Sequence, residues 1–383
     1  MIRILIAAGV PRRREGGVAG VVSSYAREFE ALGHQVTCVF AEDLPPVPSR
    51  RGRYFELRWA ARLSAHIWKN RQKFDVVNLH APTGVCYGLR RRWFSSTLSP
   101  PYIMTLHGLE ENRVYAMKRE AHKGRAWDFS WKNRAWHRIY HQPRFNWSIR
   151  TADGAHCFSR DVWTTLRLKY NLDDERVAYI PNGVDERFFL ARNYRPNGAL
   201  RMLFPGTWLD QRGIFYLRDV LPRIFHKHPA LRFTFAGPAV EPEVILRFFG
   251  NETSHNIDIV PTVPWEQMPP FYAEHDILVF PSLVEGQPGV LLEAMASGMP
   301  VITTETCGMP DVVEDGSSGL LIPPADAVGL EAAILLLAES PELRERLGRA
   351  AQERMRRQTW RDSAQRLVRF FEARISAQSK GKS

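Results

Sequence analysis

At 383 residues the chain is too long for one ordinary core, and two domains of about 150–200 residues each are expected. Hydrophobic residues at 44% against 24% charged exclude a disordered chain and fit a folded, enzyme-sized protein. The formal net charge of +11 points to an anionic partner, whether phosphate, nucleic acid or a membrane surface, without choosing among them.

The opening apolar run of residues 1–9 is short and soon meets Pro11 and the basic residues Arg12, Arg13 and Arg14. It reads as a buried first strand and not as a signal peptide. No stretch reaches the ~18–20 apolar residues that cross a bilayer, so the expected location is cytoplasmic, with any membrane contact peripheral. Cys38, Cys86, Cys157 and Cys307 lie far apart without Cys-x-x-Cys spacing. That argues against a zinc site or a disulfide framework and for a reducing compartment.

Short apolar runs alternate with helical patterns along the whole chain, the signature of strand-helix units on parallel sheets. Strands are expected at residues 2–8, 35–40, 75–79, 102–106, 154–158 and 177–180, then at 201–204, 232–236, 257–260, 277–280, 300–303 and 319–322. Between these two sets, Pro181-Asn182-Gly183-Val184-Asp185 and the turn-rich stretch 193–197 mark a hinge. Helical patterns at 341–358 and 360–375 come next, and a polar tail at 376–383 is expected to fray.

Three places carry candidate chemistry. After the first strand, Glu15-Gly16-Gly17-Val18-Ala19-Gly20 precedes a helical pattern at 23–32; such a turn leaves amides free to cradle a phosphate, or serves only the tight strand-to-helix connection. His107-Gly108 follows the fourth strand, at the carboxyl edge where parallel sheets bind ligands; the imidazole either hydrogen-bonds a substrate hydroxyl or caps a loop. The most informative block is residues 281–302. There a strand ends near Glu285, the turn Gly286-Gln287-Pro288-Gly289 comes after it, and Leu291, Leu292 and Met295 have helical spacing. This layout exposes the amides of Gly289, Val290 and Leu291 to an anion, and Glu285 and Glu293 flank that point as acceptors for paired sugar hydroxyls.

Residues 112–150 hold ten Lys or Arg against two acidic residues, with Trp127, Trp131, Trp136 and Trp147 among them. Trp127 and Trp131 are one helical turn apart, as are Arg134 and Arg138. This suits an amphipathic helix on an anionic membrane, or a helical excursion whose Trp residues pack on the sheet while its Arg residues stay solvated. Interleaved aromatic and basic residues also suit nucleic acid, but no RNA or DNA motif accompanies them.

The Gly16-Gly17 turn, Thr105-Leu106-His107-Gly108, the hinge from Ile180 to Asp185, and above all the Glu285-x7-Glu293 block with Gly298 and Pro300 together resemble the retaining glycosyltransferase family 4. Gly308, Pro310, Gly316 and Gly319 extend the resemblance. It implies an α/β GT-B fold: two Rossmann-like domains facing each other across a cleft, with the C-terminal helix crossing back to the first domain. Residues 1–180 would form the acceptor-binding domain and 181–358 the nucleotide-sugar-binding domain, with 359–383 as the returning helix and tail. His107 and Glu285 would be the catalytic residues, with His107 facing the reacting sugar and Glu285 holding its hydroxyls. Glu293 would hold the ribose; Gly16, Gly17, Arg212, Gly286, Gln287, Pro288, Gly289, Val290 and Leu291 would line the rest of the donor site. The family needs no metal, and none is expected.

The sequence departs from the family at Gly206-Thr207-Trp208-Leu209-Asp210-Gln211-Arg212-Gly213, where members carry Gly-Arg and later Lys-Gly. Arg212 can stand for the Lys, but Thr207 cannot stand for the Arg. Either another cation, such as one from residues 12–14, takes its place, or the donor is held more weakly. The expected activity is retaining transfer from a UDP- or GDP-sugar to a saccharide or lipid-linked acceptor, in cell-surface polysaccharide or glycolipid synthesis. The alternatives are a GT-B epimerase or phosphorylase, or a catalytically weak membrane- or nucleic-acid-binding protein on this scaffold.

Overall fold

The computed structural model describes residues 1–12, 17–44, 54–94, 99–126, 129–194 and 200–380. Twelve strands form within one residue of the expected bounds. They are β1 Arg3–Ala7, β2 Gln35–Val39, β3 Val76–His80, β4 Tyr102–Leu106, β5 Gly154–Cys157 and β6 Val177–Tyr179, then β7 Arg201–Pro205, β8 Arg232–Ala236, β9 Ile257–Val260, β10 Ile277–Phe280, β11 Val301–Thr304 and β12 Leu320–Ile322. The apolar runs are most legible in the inner strands, such as β3, β4, β10 and β11, whose residues are all buried without alternation because helices cover both faces of the sheets.

The first unit comprises Met1–Glu111, Ser130–Gly183 and Trp360–Ser383. Its sheet is parallel in the order β2-β1-β3-β4-β5-β6. One face packs Leu5, Val77, Leu79 and Met104 against Trp59, Leu63 and Ile67. The other packs Ile4, Ile6, Val76 and Ile103 against Val22, Tyr25 and Phe29 of the helix Gly17–Ala31 and against Leu367 and Phe371 of the last helix. That last helix, Trp360–Lys380, therefore belongs to the first core, as expected of a returning helix. It also runs through 376–380, where a frayed tail was expected: Gln378 donates to the Ser99 carbonyl at 2.8 Å.

The second unit comprises Asn112–Phe129 and Val184–Thr359, with the parallel order β12-β11-β10-β7-β8-β9. Residues 112–126 were expected in the first domain, but they cluster with the second. Met117 joins the second core, and Glu120, buried, accepts from Tyr216 Oη at 2.7 Å and Lys123 Nζ at 3.0 Å. Arg125 pairs with Asp219 at 2.7 Å. A carboxylate buried without partners would cost several kcal/mol; paired in this way, it instead fixes the helix Glu110–His122 against the helix Ile214–Lys227.

In a sheet whose strand order reverses, the loops at the reversal splay to opposite faces and leave a crevice at the carboxyl edge. In the second sheet that point lies between β7 and β10. Gly213, with φ of +77°, closes the β7 loop directly under β10: a side-chain carbon there would sit 2.1 Å from the Pro281 carbonyl oxygen. Gly213→Ala is expected to cost about 2 kcal/mol or more, through left-handed strain and a backbone clash. A chemical-denaturation midpoint equal to the wild type would contradict this reading.

Candidate active site

The loops after β7 and β10 are tied across the reversal. Leu283 N donates to the Gln211 carbonyl at 2.8 Å and Ser282 Oγ to the same oxygen at 3.2 Å. Two residues singled out in the sequence meet here: Arg212 Nη1 lies 3.1 Å from Glu285 Oε1. The guanidinium stacks over Phe280 at 5.0 Å, and its buried Nε has no hydrogen-bond partner among the described residues. It packs across Gly206, whose φ of +114° and missing side chain leave room for it. Burial pushes the Glu285 carboxyl above its ordinary value, against the pull of Arg212 and a 3.4 Å hydrogen bond from Ser282 Oγ. Thr207 is exposed while its neighbour Trp208 is buried in the core.

Beyond Glu285, Gly286 is half-buried and Gln287 and Pro288 are buried. The helix Gly289–Ala296 starts with no side chain capping its amides, so its first turn keeps part of the helix dipole's positive end. Gly289 is exposed and Val290 half-buried. Leu291 corrects the sequence reading: its amide donates to the Pro288 carbonyl at 3.1 Å and its side chain is in the core, so it is not open to a ligand.

Glu293 lies one turn on, on the same helix face as Gly289. Its Oε1 is 3.7 Å from where a side-chain carbon on Gly289 would be, so the carboxyl reaches back toward the uncapped turn. Burial raises the Glu293 carboxyl to about 7; a 2.9 Å hydrogen bond from Tyr272 Oη opposes that rise, and Asp185 and Arg187 act on it in opposite directions. Tyr272 was missed in the sequence, where it reads as one apolar residue on the short helix Met268–Ala273.

In the first unit, Gly17 opens its helix with φ of +58°, and no described residue lies within 4 Å of where a side chain would start. Gly16, Arg13 and Arg14 lie outside the described residues. Arg12 is paired with Asp43 at 2.7 Å and stacked on Phe40, so it shows no sign of replacing the missing cation. His107 follows β4, as expected, and burial lowers its imidazole to about 4, which leaves it neutral at physiological pH. It does not cap a loop: its Nε2 lies 2.7 Å from Nδ1 of His80, the last residue of β3. His80 was missed because the third strand was expected to end at residue 79, one short of it.

The basic stretch is not one helix. The first helix ends at His122, Gly124 turns with φ of +69°, and a second begins at Trp131 with Ser130 as its N-cap; Trp127 lies outside the described residues. Arg113, Lys123 and Arg125 are engaged by Gln211, Glu120 and Asp219, and Arg144 is buried against Glu56. From 130 to 150 the chain has no acidic residue. Trp131, Ile139 and Trp147 there are 72%, 76% and 44% exposed, and Lys132, Arg134, Arg138 and Arg150 are exposed beside them. No helix among the described residues is long and apolar enough to cross a membrane.

Two family models match the chain, one described as Glycosyltransferase Family 4 over residues 15–188 and one as Glycosyl transferases group 1 over residues 199–340. The chain is similar to the glycogen synthase of Mycobacterium tuberculosis, 25% identical over 260 residues that cover 67% of this chain and 58% of that protein. It thus spans less than two thirds of that relative's length. The structure is similar to sucrose-phosphate synthase from Thermosynechococcus elongatus, with a TM-score of 0.78 at 17% identity over 98% of this chain and 100% of that one. It is also similar to Anabaena HepE solved in complex with UDP-glucose, with a TM-score of 0.70 at 16% identity over 97% and 100%. At these identities the likeness establishes the GT-B fold.

The Tyr272 hydroxyl favours the charged form of Glu293, so Tyr272→Phe is expected to move that carboxyl further above about 7. Between 4.5 and about 7 the folded protein keeps a proton that the unfolded chain releases. This group therefore lowers stability as pH rises through that window, and the variant extends the window upward. A carboxyl-carbon NMR titration of Glu293 reads the shift; an unchanged midpoint would show that the hydroxyl is not coupled to it.

Proposed function

Because the chain belongs to the family 4 glycosyltransferases, we propose that it transfers a sugar from a UDP- or GDP-sugar, with retention of configuration, to a saccharide or lipid-linked acceptor. The observation that carries this reading is the set of groups at the strand-order reversal of the second sheet: an uncapped helix start, Arg212, and the carboxyls of Glu285 and Glu293. The amides of Gly289 and Val290 and the guanidinium of Arg212 would meet the diphosphate. Glu293, ionised, would accept from the ribose diol, and Glu285 from hydroxyls of the transferred sugar. His107, neutral, would hydrogen-bond the reacting sugar without placing a positive charge beside it.

In the proposed step the bond from the anomeric carbon to the diphosphate oxygen breaks as the acceptor hydroxyl bonds to the same face. The acceptor's proton passes to the departing phosphate oxygen, so no protein nucleophile or metal is called for. Charge on the leaving group is met by fixed amide dipoles and Arg212, which need little reorganisation. The UDP-glucose bound by Anabaena HepE makes a uridine donor the first to test. Mass-spectrometric assay with UDP- and GDP-sugars should show transfer that falls about 100-fold in kcat/KM, or about 2.7 kcal/mol, in Glu293→Ala and in His107→Ala. Full activity in both would refute the site. Turnover of the sugar nucleotide without acceptor would favour an epimerase-type reaction, and no nucleotide affinity by calorimetry would favour a binding scaffold.

We also propose that residues 131–150 rest on an anionic membrane, as suits a lipid-linked acceptor and a cytoplasmic-face location. The segment His137–His141 is a π-helix, which puts an extra residue in one turn and rotates the helix beyond it by roughly 100°. That rotation returns Pro143, Trp147 and Arg150 to the side of Trp131, Arg134 and Arg138, giving a basic, aromatic and acid-free stripe about 30 Å long. Trp131→Ala with Trp147→Ala should weaken sedimentation with phosphatidylglycerol vesicles at least ~10-fold while neutral vesicles bind neither protein. Unchanged binding, or stronger retention on RNA than on vesicles, would overturn the membrane reading.

A further inference from the structure

The face of the first sheet that carries Ile4, Ile6, Val76 and Ile103 also carries a polar seam: Asn78 and His80 on β3, Thr105 on β4 with His107 beyond it, and His156 on β5. Strand register brings them side by side, with His80 opposite Thr105 and Thr105 opposite His156. Part of the seam has its protons assigned by its partners. His156 Nε2 faces the Ile180 carbonyl at 3.0 Å and so donates; its Nδ1 must then accept from Thr105 Oγ1 at 3.2 Å, while that oxygen accepts from Asn78 Nδ2 at 2.8 Å.

The other part is a direct contact between two imidazoles. His80 Nδ1 and His107 Nε2 are 2.7 Å apart. Burial lowers the basicity of both rings, and no carboxylate acts on either, so both are neutral and share one proton: one nitrogen donates and the other accepts. The 4.9 Å between the two imidazole centroids is that of rings meeting edge to edge through this contact, and Phe158 packs against the His107 ring at 5.1 Å between centroids. Its Nε2 is spent on His80, and among the described residues its Nδ1 has no partner. His80 in turn is fixed by β3, and its carbonyl accepts from Thr83 Oγ1 at 2.6 Å.

We propose that His80 is a positioning residue for His107: it holds the ring through Nε2 and sets which nitrogen bears the proton, so that His107 meets a sugar hydroxyl through Nδ1. This rests on the reading that His107 faces the reacting sugar. A neutral imidazole free to rotate or to exchange tautomers would offer a hydroxyl a donor part of the time and an acceptor the rest; a ring locked at Nε2 offers one of them.

The test compares His80→Leu, which fills the space without a hydrogen bond, with His80→Asn, whose amide can take the place of Nδ1. Long-range nitrogen–proton NMR of the imidazoles should show one His107 tautomer in the wild type and in the Asn variant, and two in the Leu variant. With a competent donor, His80→Leu should lower kcat about 10- to 100-fold with donor KM within about threefold, and His80→Asn should recover most of the loss. An unchanged His107 spectrum in His80→Leu, wild-type kcat in that variant, or an Asn variant no better than Leu at equal melting temperature would each overturn the proposal. If His80→Leu does not fold, two His107 tautomers in the wild type would do the same. Absence of transfer by the wild-type protein would instead refute the functional reading, and the spectra would still decide the role of His80.

Discussion

The site in the second unit depends on how closely two loops approach where the strand order reverses. β7 and β10 are neighbours in the sheet but far apart in the chain, so their loops leave the carboxyl edge side by side. Only a residue without a side chain can close the first loop beneath the Pro281 carbonyl. Once closed, Gln211 accepts from both Ser282 and Leu283, which places Arg212 against Glu285 and leaves the next helix start open. Each polar group there is set by the backbone path, so its chemistry is pre-arranged before any ligand arrives.

That path explains which features were legible in the sequence. The strands could be read because short, mostly apolar runs alternating with helical patterns have few other uses in a chain of this length. The Glu285-to-Glu293 block could be read because its helix face is set by local spacing alone: Gly289 and Glu293 are one turn apart whatever surrounds them. The residues that act on this block could not. Tyr272 reaches Glu293 from another helix, and nothing in its own neighbourhood distinguishes it from an ordinary core residue. The Leu291 amide was misread for a related reason, since a turn that looks open in sequence closes one of its own hydrogen bonds.

The β4-to-β5 connection shows the same limit at a larger scale. Its charge count suggested one basic, membrane-facing helix, but charge composition does not say which residues are already paired. Glu120 is the deciding residue: a single buried carboxylate recruits Lys123 and Tyr216, and with Arg125 on Asp219 it ties residues 112–126 to the second unit. The stretch that remains exposed is shorter, begins after Ser130, and keeps its stripe only because a π-helical turn corrects the rotation. Local periodicity gave the helices here; tertiary pairing decided which of their charges face solvent.

Thr207 is where the proposed chemistry is most constrained. A diphosphate leaving group gains negative charge as the glycosidic bond breaks, and a helix start offers only about half a unit of positive charge. Arg212 is a described side chain placed to add more, yet it is shared with Glu285. In the proposed complex, sugar hydroxyls would donate to Glu285 and release the guanidinium, whose fork and unpartnered Nε could then turn to phosphate oxygens. The Arg212–Glu285 pair would thus be exchanged for one Arg–phosphate and one Glu–hydroxyl contact, both formed only when nucleotide and sugar are present together. Such a site would favour an intact donor over free diphosphate.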